Sequence, residues 1–239
     1  IIVKDILMSI PKLITHACGS IDGISYTNAK EALEYSYHTK NSKYIEIDIN
    51  LSRDEKYVLI HDWHKTFTTL FGYKADAPLT LVEFKQLKIQ DKFTTLSLDD
   101  FLAFMHQNHD LHLISDVKAG GNEAFYNYIK VHHNELLKRI YIQCYNESEY
   151  EDIKNSGFNN LIYGLYKEAD IDFDNLDNFI KQHNISYVSI NKPRIHSDFI
   201  LSLKKNNVSI LTHTVNDEDE LNMLTAKGID CVFTDKLYL

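Results

Sequence analysis

Glu46 and Asp48 stand two residues apart in the stretch YIEIDINLSRDEKYVLIHD, Tyr44 to Asp62. The run around them alternates as a strand does, so both carboxylates leave the backbone on one side. Carboxylates placed in apolar surroundings are costly unless protonated, ion-paired or bound to a metal ion. The same stretch returns through Tyr57 to Ile60 and ends in His61-Asp62, which adds an imidazole, the side chain whose ordinary pKa lies closest to neutral pH. Paired acids with a proton-transfer group are the equipment of metal-dependent phosphodiester chemistry. Alone, the Glu-x-Asp pair is more often a structural ion pair, so its weight depends on the elements that position it.

Those elements form a regular series. Strand-like apolar runs are expected at Lys12–Thr15, Tyr44–Asn50, Leu111–Val117, Arg139–Tyr145, Leu161–Leu165, Ser186–Asn191, Val208–Val215 and Cys231–Thr234, joined by amphipathic segments. Helix starts are marked by Asn28 with Glu31, Ser97 with Asp100, and Asn146 with Glu149, three residues apart as in a capping box. A further helix is expected over Asn122–Leu137, and Gly157 and Gly228 mark helix ends. Between about 63 and 95 the alternation is broken by a small insertion carrying its own capping box, Thr80-Leu81-Val82-Glu83. Eight nearly continuous apolar strands joined by helices predict an α/β fold, a (β/α)8 TIM barrel with a small insertion after the second strand. An open doubly wound sheet is disfavoured, because no glycine-rich phosphate loop follows an early strand.

With 239 residues, 44% hydrophobic content, 3 Pro and 8 Gly, the chain reads as a single domain over 1–239 with no linker. A net charge of -9 argues against nucleic acid as a partner. Cys18, Cys144 and Cys231 are too scattered for a disulfide framework or a zinc finger and read as reduced, structural residues. No run reaches the roughly 20 apolar residues needed for a transmembrane segment. A cytoplasmic location is favoured. Secretion or membrane association stays open if a segment preceding the mildly apolar IIVKDILMSIPKLI was removed. Oligomeric state is unknown from sequence.

In a barrel of this kind the chemistry sits at the C-terminal strand ends. His16, Glu46, Asp48, Asp116, Lys118, Gln143, Lys192, His213, Asn216 and Asp235 fall at or near such ends. Glu46, Asp48 and Asp116 are hard oxygen donors suited to one divalent cation, Mg2+ or Ca2+. His16 and His61 are the candidates for proton transfer. Lys118 shares the face of Asp116 and is placed to meet a phosphate, or else to pair with Asp116 or Glu46.

The sequence resembles the glycerophosphodiester phosphodiesterases, within the wider phosphatidylinositol phospholipase C-like superfamily. The likeness is carried by His16-Ala17-Cys18-Gly19, Thr27-Asn28, Glu46-Ile47-Asp48, Val58 to Asp62, Leu79 to Phe84, Thr95-Leu96, Asp116-Val117-Lys118, Thr214-Val215-Asn216, Gly228-Ile229-Asp230 and Thr234-Asp235. It implies one divalent cation on Glu46, Asp48 and Asp116, His16 and His61 as general acid and base, and a small-molecule phosphodiester or lipid head-group substrate. Three departures accompany it. Ala17 stands where the family has Arg, which shifts phosphate binding toward the metal, Lys118 and Lys192. Asp116 stands where the family has Glu, as in the related sphingomyelinase D-type enzymes, and His213 stands where a Trp is expected. Trp63, the only Trp, is a candidate for the substrate contact that Trp would make. Alternative readings are a phospholipase D-like transphosphatidylase on lysophospholipid or sphingolipid, and a degenerate barrel that binds a phosphorylated ligand without cleaving it.

Overall fold

The computed structural model describes residues 10–118, 122–165 and 171–238, so most of the apolar opening stretch lies outside the described residues. In chain order the elements are β1 (Leu13–Thr15), α1 (Lys30–Glu34), β2 (Tyr44–Leu51), β3 (Tyr57–Leu59), α2 (Lys65–Phe71), α3 (Leu81–Gln86), β4 (Lys88–Ile89), β5 (Phe93–Thr94), α4 (Leu98–Gln107), β6 (His112–Val117), α5 (Asn122–His132), β7 (Ile140–Cys144), α6 (Glu147–Asn155), β8 (Asn160–Gly164), α7 (Phe173–His183), β9 (Tyr187–Asn191), α8 (Ser197–Lys204), β10 (Ser209–His213), α9 (Glu218–Ala226) and β11 (Cys231–Thr234). Eight strands pair in the order β1, β11, β10, β9, β8, β7, β6, β2, all parallel, and Thr15 opposite Ile45 closes the ring. The expected (β/α)8 barrel is the fold observed.

Strand parity sorts the side chains into two buried groups. Ile45, Ile47 and Ile49 of β2, Leu113 of β6, Ile140 and Ile142 of β7 and Val188 and Ile190 of β9 pack in the cluster that includes helix residues such as Phe101, Phe125 and Phe199. The intervening positions, Ile14, Tyr44, Ile114, Tyr141, Ile162, Tyr187, Leu211, Cys231 and Phe233, form a second cluster that fills the barrel. Glu46, Asp48 and Asp116 share the parity of this inner set, two and four residues beyond its apolar members. The barrel is therefore sealed with Tyr, Ile and Phe below and polar at its C-terminal mouth.

Several local expectations are corrected. Asn28 does not cap α1: the helix starts at Lys30 with Ala29 at its N-cap and no side-chain cap, and it continues as a π-helical turn over Tyr35–Thr39. Glu31, the other half of the expected box, instead accepts from the N–H (2.8 Å) and hydroxyl (2.7 Å) of Thr94 and ties the insertion to α1. The segment Tyr57–Leu59 is an antiparallel partner of β2. The insertion contains an unforeseen hairpin, β4–β5, whose turn residues Gln90 and Asp91 both take left-handed φ (50° and 56°). The helix expected over Asn122–Leu137 is divided, with α5 ending at His132 and a 3-10 turn running over Asn134–Arg139. The boxes at Thr80/Glu83 and Ser97/Asp100 form reciprocally, and Asn146 accepts from the Glu149 N–H. All three cysteines are buried and free. Among the described residues no helix is long and apolar enough to cross a membrane.

At the opposite end of the barrel His112 is buried and stacks on Tyr44, ring centroids 4.3 Å apart. Burial, aided by the charge of Arg139, lowers its pKa from 6.5 to about 4. The folded chain therefore refuses a proton that the unfolded chain accepts below pH 6.5, and stability is lost as pH falls from about 6.5 toward about 4. His112→Phe, which keeps a ring against Tyr44, is expected to flatten urea-unfolding stability across that window. An unchanged acid slope would refute the assignment.

Candidate active site

The acidic mouth is built from adjacent strands in register. Asp48 of β2 lies opposite Asp116 of β6, so parallel pairing alone brings these two carboxylates together. Glu46, one step deeper on β2, adds the third. Oxygen atoms of all three lie within 4.8 Å of one another, and all three residues are buried. Burial and the neighbouring Asp48 charge push the Glu46 carboxyl up to about 8. A set of hard oxygen donors at mutual distances that one coordination sphere spans fits a divalent cation of the Mg2+ or Ca2+ type.

Several groups around this cluster oppose its negative charge. Lys118, directly after β6, ion-pairs with Asp48 at 3.1 Å and Asp116 at 2.6 Å. These carboxylates hold its ammonium well above its ordinary pKa despite burial. Tyr145 donates its hydroxyl to the other Asp116 oxygen at 2.8 Å. Asn28 holds Asp48 from both ends of its amide: its Nδ2 donates to Oδ2 at 3.1 Å, and its Oδ1 accepts from the Asp48 N–H at 3.2 Å. The Ala17 N–H donates to Glu46 at 2.9 Å. Ala17 and Asn28 both adopt left-handed φ, 47° in each case, which turns these backbones toward the acids. That conformation is the reason Asn28 is unavailable as a helix cap.

His16 sits just past β1, with its Nδ1 2.8 Å from Asp235 and its Nε2 3.9 Å from Glu46. Burial opposes its charge, but the Asp235 hydrogen bond and the Glu46, Asp235 and Asp48 charges prevail and raise its pKa to about 9. Asp235 is itself fixed by Asn216, which donates to it at 2.7 Å and accepts from its N–H at 2.8 Å. His61 lies across the mouth, its Nδ1 3.0 Å from Asp62. Despite partial burial, hydrogen bonds from Thr66 and His61, with the Thr66 and His64 N–H groups, hold the Asp62 carboxyl far below the usual range. Tyr26 stands between the two histidines, edge-on to His16 (4.4 Å) and to His61 (5.6 Å). Burial and the Asp48 charge raise its phenol to about 12, so it acts as a neutral group.

Together these residues line a cleft of about 130 Å3, bounded by His16, Tyr26, Glu46, Asp48, His61, Asp116, Lys118, Gln143, His213 and Phe233. Seven of the nine expected site residues are brought together here. His213 contributes an imidazole whose pKa is lowered by burial and by the His16 charge. Two are not. Trp63 is buried in the insertion, packed on Phe67 and Phe84 (5.6 Å each), with its indole N–H given to the Leu51 carbonyl at 2.8 Å. Its apolar ring is worth more in the insertion core than in a polar mouth. Lys192 pairs with Glu220 at 2.7 Å and does not line the cleft. Tyr26, Asn28 and Tyr145 were not anticipated. Tyr26 and Asn28 lie in a loop of irregular φ between β1 and α1, and only the Asn28 match to a family motif hinted at a role.

A model of the Glycerophosphoryl diester phosphodiesterase family matches residues 31–239. Solved structures share the fold. A protein from Silicibacter pomeroyi, described as a putative glycerophosphoryl diester phosphodiesterase, superposes with TM-score 0.75 at 14% identity, covering 96% of this chain and 91% of that one. A putative glycerophosphodiester phosphodiesterase from Galdieria sulphuraria gives 0.74 at 18% identity, covering 95% and 94%. A phosphodiesterase from Oleispira antarctica, in complex with the product sn-glycerol-3-phosphate, gives 0.73 at 20% identity, covering 95% and 93%. No curated protein sequence matches the chain.

The His16–Asp235 pair gives a direct test. Asp235→Asn removes the anion that favours the imidazolium, so the His16 titration midpoint followed by NMR is expected to fall. A midpoint that stays where it was would show that Glu46 and Asp48 set the protonation state without Asp235.

Proposed function

Because the chain belongs to the glycerophosphoryl diester phosphodiesterase family, we propose that its acidic cleft hydrolyses a glycerophosphodiester to an alcohol and a phosphomonoester with the help of one divalent cation. The chain is a phosphoric diester hydrolase by that membership. The observation that carries the finer reading is the convergence of the Glu46, Asp48 and Asp116 oxygens at a mouth flanked by His16 and His61. The sn-glycerol-3-phosphate bound to the Oleispira antarctica neighbour supports a glycerol phosphate as the part recognised.

Glu46, Asp48 and Asp116 would hold Mg2+ or Ca2+, which supplies positive charge to a phosphate oxygen when bound. Lys118, already paired with Asp48 and Asp116, brings a further positive charge to the cleft for a phosphate oxygen. The two histidines, on opposite sides of the cleft, are the groups placed to move protons. His16, held protonated by Asp235, gives its proton to the alcohol oxygen as the bond from phosphorus to that oxygen breaks. His61, whose Nδ1 lies 3.0 Å from Asp62, would take the proton of the attacking hydroxyl as the new bond to phosphorus forms. The attacker is water or the adjacent glycerol hydroxyl, and a cyclic phosphate among early products identifies the latter.

Hydrolysis of a panel of glycerophosphodiesters, with chelator and with Mg2+ or Ca2+ restored, tests this reading. Activity is expected to need the cation. His16→Ala and His61→Ala are each expected to lower kcat by about 10²–10⁴-fold, the usual share of a general acid or base. Wild-type protein that binds the cation but turns over nothing on the panel would replace the hydrolase with a phosphate-ligand-binding barrel. A cyclic lysophosphatidate from lysophospholipid would favour the transphosphatidylase.

A further inference from the structure

A second cluster of metal-ligating side chains lies far from the acidic mouth in the chain's topology. His106 in the last turn of α4, His133 at the junction after α5, and Glu135 in the following 3-10 turn offer one donor atom each, all within 4.8 Å of one another. His106 Nε2 is 3.2 Å from His133 Nδ1 and 3.4 Å from Glu135 Oε1. Two imidazole nitrogens, or an imidazole nitrogen and a carboxylate oxygen, bound to one tetrahedral Zn2+ at the usual bond lengths stand about 3.3–3.4 Å apart. The observed spacings match those edges.

The backbone beneath the cluster is cross-linked by hydrogen bonds. Arg139, which ends the 3-10 turn, donates from Nη1 to the carbonyls of Met105 (3.1 Å), Asn108 (3.0 Å) and Leu111 (3.1 Å), the chain on either side of His106 and the end of α4. The Leu136 N–H bonds to the His133 carbonyl at 2.9 Å, and Leu136 and Ile129 are fully buried beneath the junction. The backbones that carry the three donors are thus locked together by contacts independent of the donors. The side chains remain accessible, His106 at 40% and Glu135 at 61% exposure, so an ion can enter and keep a water as its fourth ligand.

We infer that His106, His133 and Glu135 form a surface site for a borderline divalent transition ion, Zn2+ in the first instance. Imidazole and carboxylate suit that class of ion, whereas the all-oxygen set of Glu46, Asp48 and Asp116 suits Mg2+ or Ca2+. The two sites therefore differ in ligand chemistry. They also differ in place: α4 and the 3-10 turn end where β6 and β7 begin, at the end of the barrel opposite the C-terminal mouth, where side chains serve stability rather than chemistry. An ion there would clip α4 to the α5–β7 connection and raise the stability of the folded chain by mass action.

The test uses the full chain with Mg2+ in large excess, so that the oxygen cluster is engaged, and ZnCl2 as the probe. Zinc is titrated in competition with a chromophoric chelator, and thermal unfolding is followed in parallel. One equivalent is expected to bind wild-type protein and raise Tm. His106→Gln and His133→Gln are each expected to weaken zinc by at least the roughly 10–100-fold seen when only an outer partner of a metal site is removed, and to abolish the Tm rise. Glu46→Gln is expected to leave zinc binding as it is. Glu135→Gln, at an exposed position, provides a variant whose folding is not in question, and its melting without zinc should equal that of wild type. Absence of zinc binding in wild type, or binding that survives both histidine substitutions or disappears with Glu46→Gln, overturns the inference.

Discussion

Three carboxylates held together in a buried barrel mouth are the constraint to which the rest of this structure answers. Glu46, Asp48 and Asp116 repel one another, and inside a protein such repulsion is weakly screened. Five nearby groups act against that repulsion. Lys118 and His16 bring positive charge, Tyr145 and Asn28 bring side-chain donors, and Ala17 brings a backbone N–H. The left-handed backbone at Ala17 and Asn28 is part of the same arrangement, since a strained loop persists only where its surroundings over-determine it. A cation fits this cluster because it would relieve in one place what these groups oppose separately.

The barrel makes such a concentration of charge tolerable. Its parallel register places Asp48 against Asp116 with no freedom to separate, and the layer of Ile114, Tyr141, Ile162, Tyr187 and Leu211 below seals the interior. The acids face the mouth, where the cleft opens. The insertion supports this mouth from one side. Trp63, Phe67 and Phe84 give it a small core of its own, and Glu31 joins it to α1 through Thr94. His61 and Asp62 lie at its start. Asp62, fixed by Thr66 and the His64 N–H, carries the order of that core to the imidazole.

The candidate site was legible wherever a residue's position follows from strand order. Glu46, Asp48, Asp116, Lys118, His16, His61 and His213 could be placed because the C-terminal end of each strand is visible in the pattern of apolar runs, and all of them line one cleft. Trp63 and Lys192 do not line that cleft, because their positions depend on side-chain partners rather than on strand order. A large ring goes where it buries most surface, and Lys192 turns to Glu220 on the neighbouring helix. Asn28 was misread for a related reason. An Asn three residues before Glu is a helix-cap pattern, but the left-handed backbone at Asn28 turns its amide onto Asp48, distant in sequence.

What the amino-acid sequence determined by itself is the periodicity: eight buried strands, helices between them, an insertion after the second, and acids and histidines at strand ends. These follow from local rules, the alternation of side chains along a strand and the preferences of caps and turns, which need only near neighbours. The tertiary structure alone decided which groups meet: Asp235 with His16, Tyr145 with Asp116, Asn28 with Asp48, and His106 with His133 and Glu135. Such pairs are brought together by ring closure and helix packing, and their partners are separated by as many as 219 residues. No local pattern can encode a contact whose geometry is set only when the barrel closes.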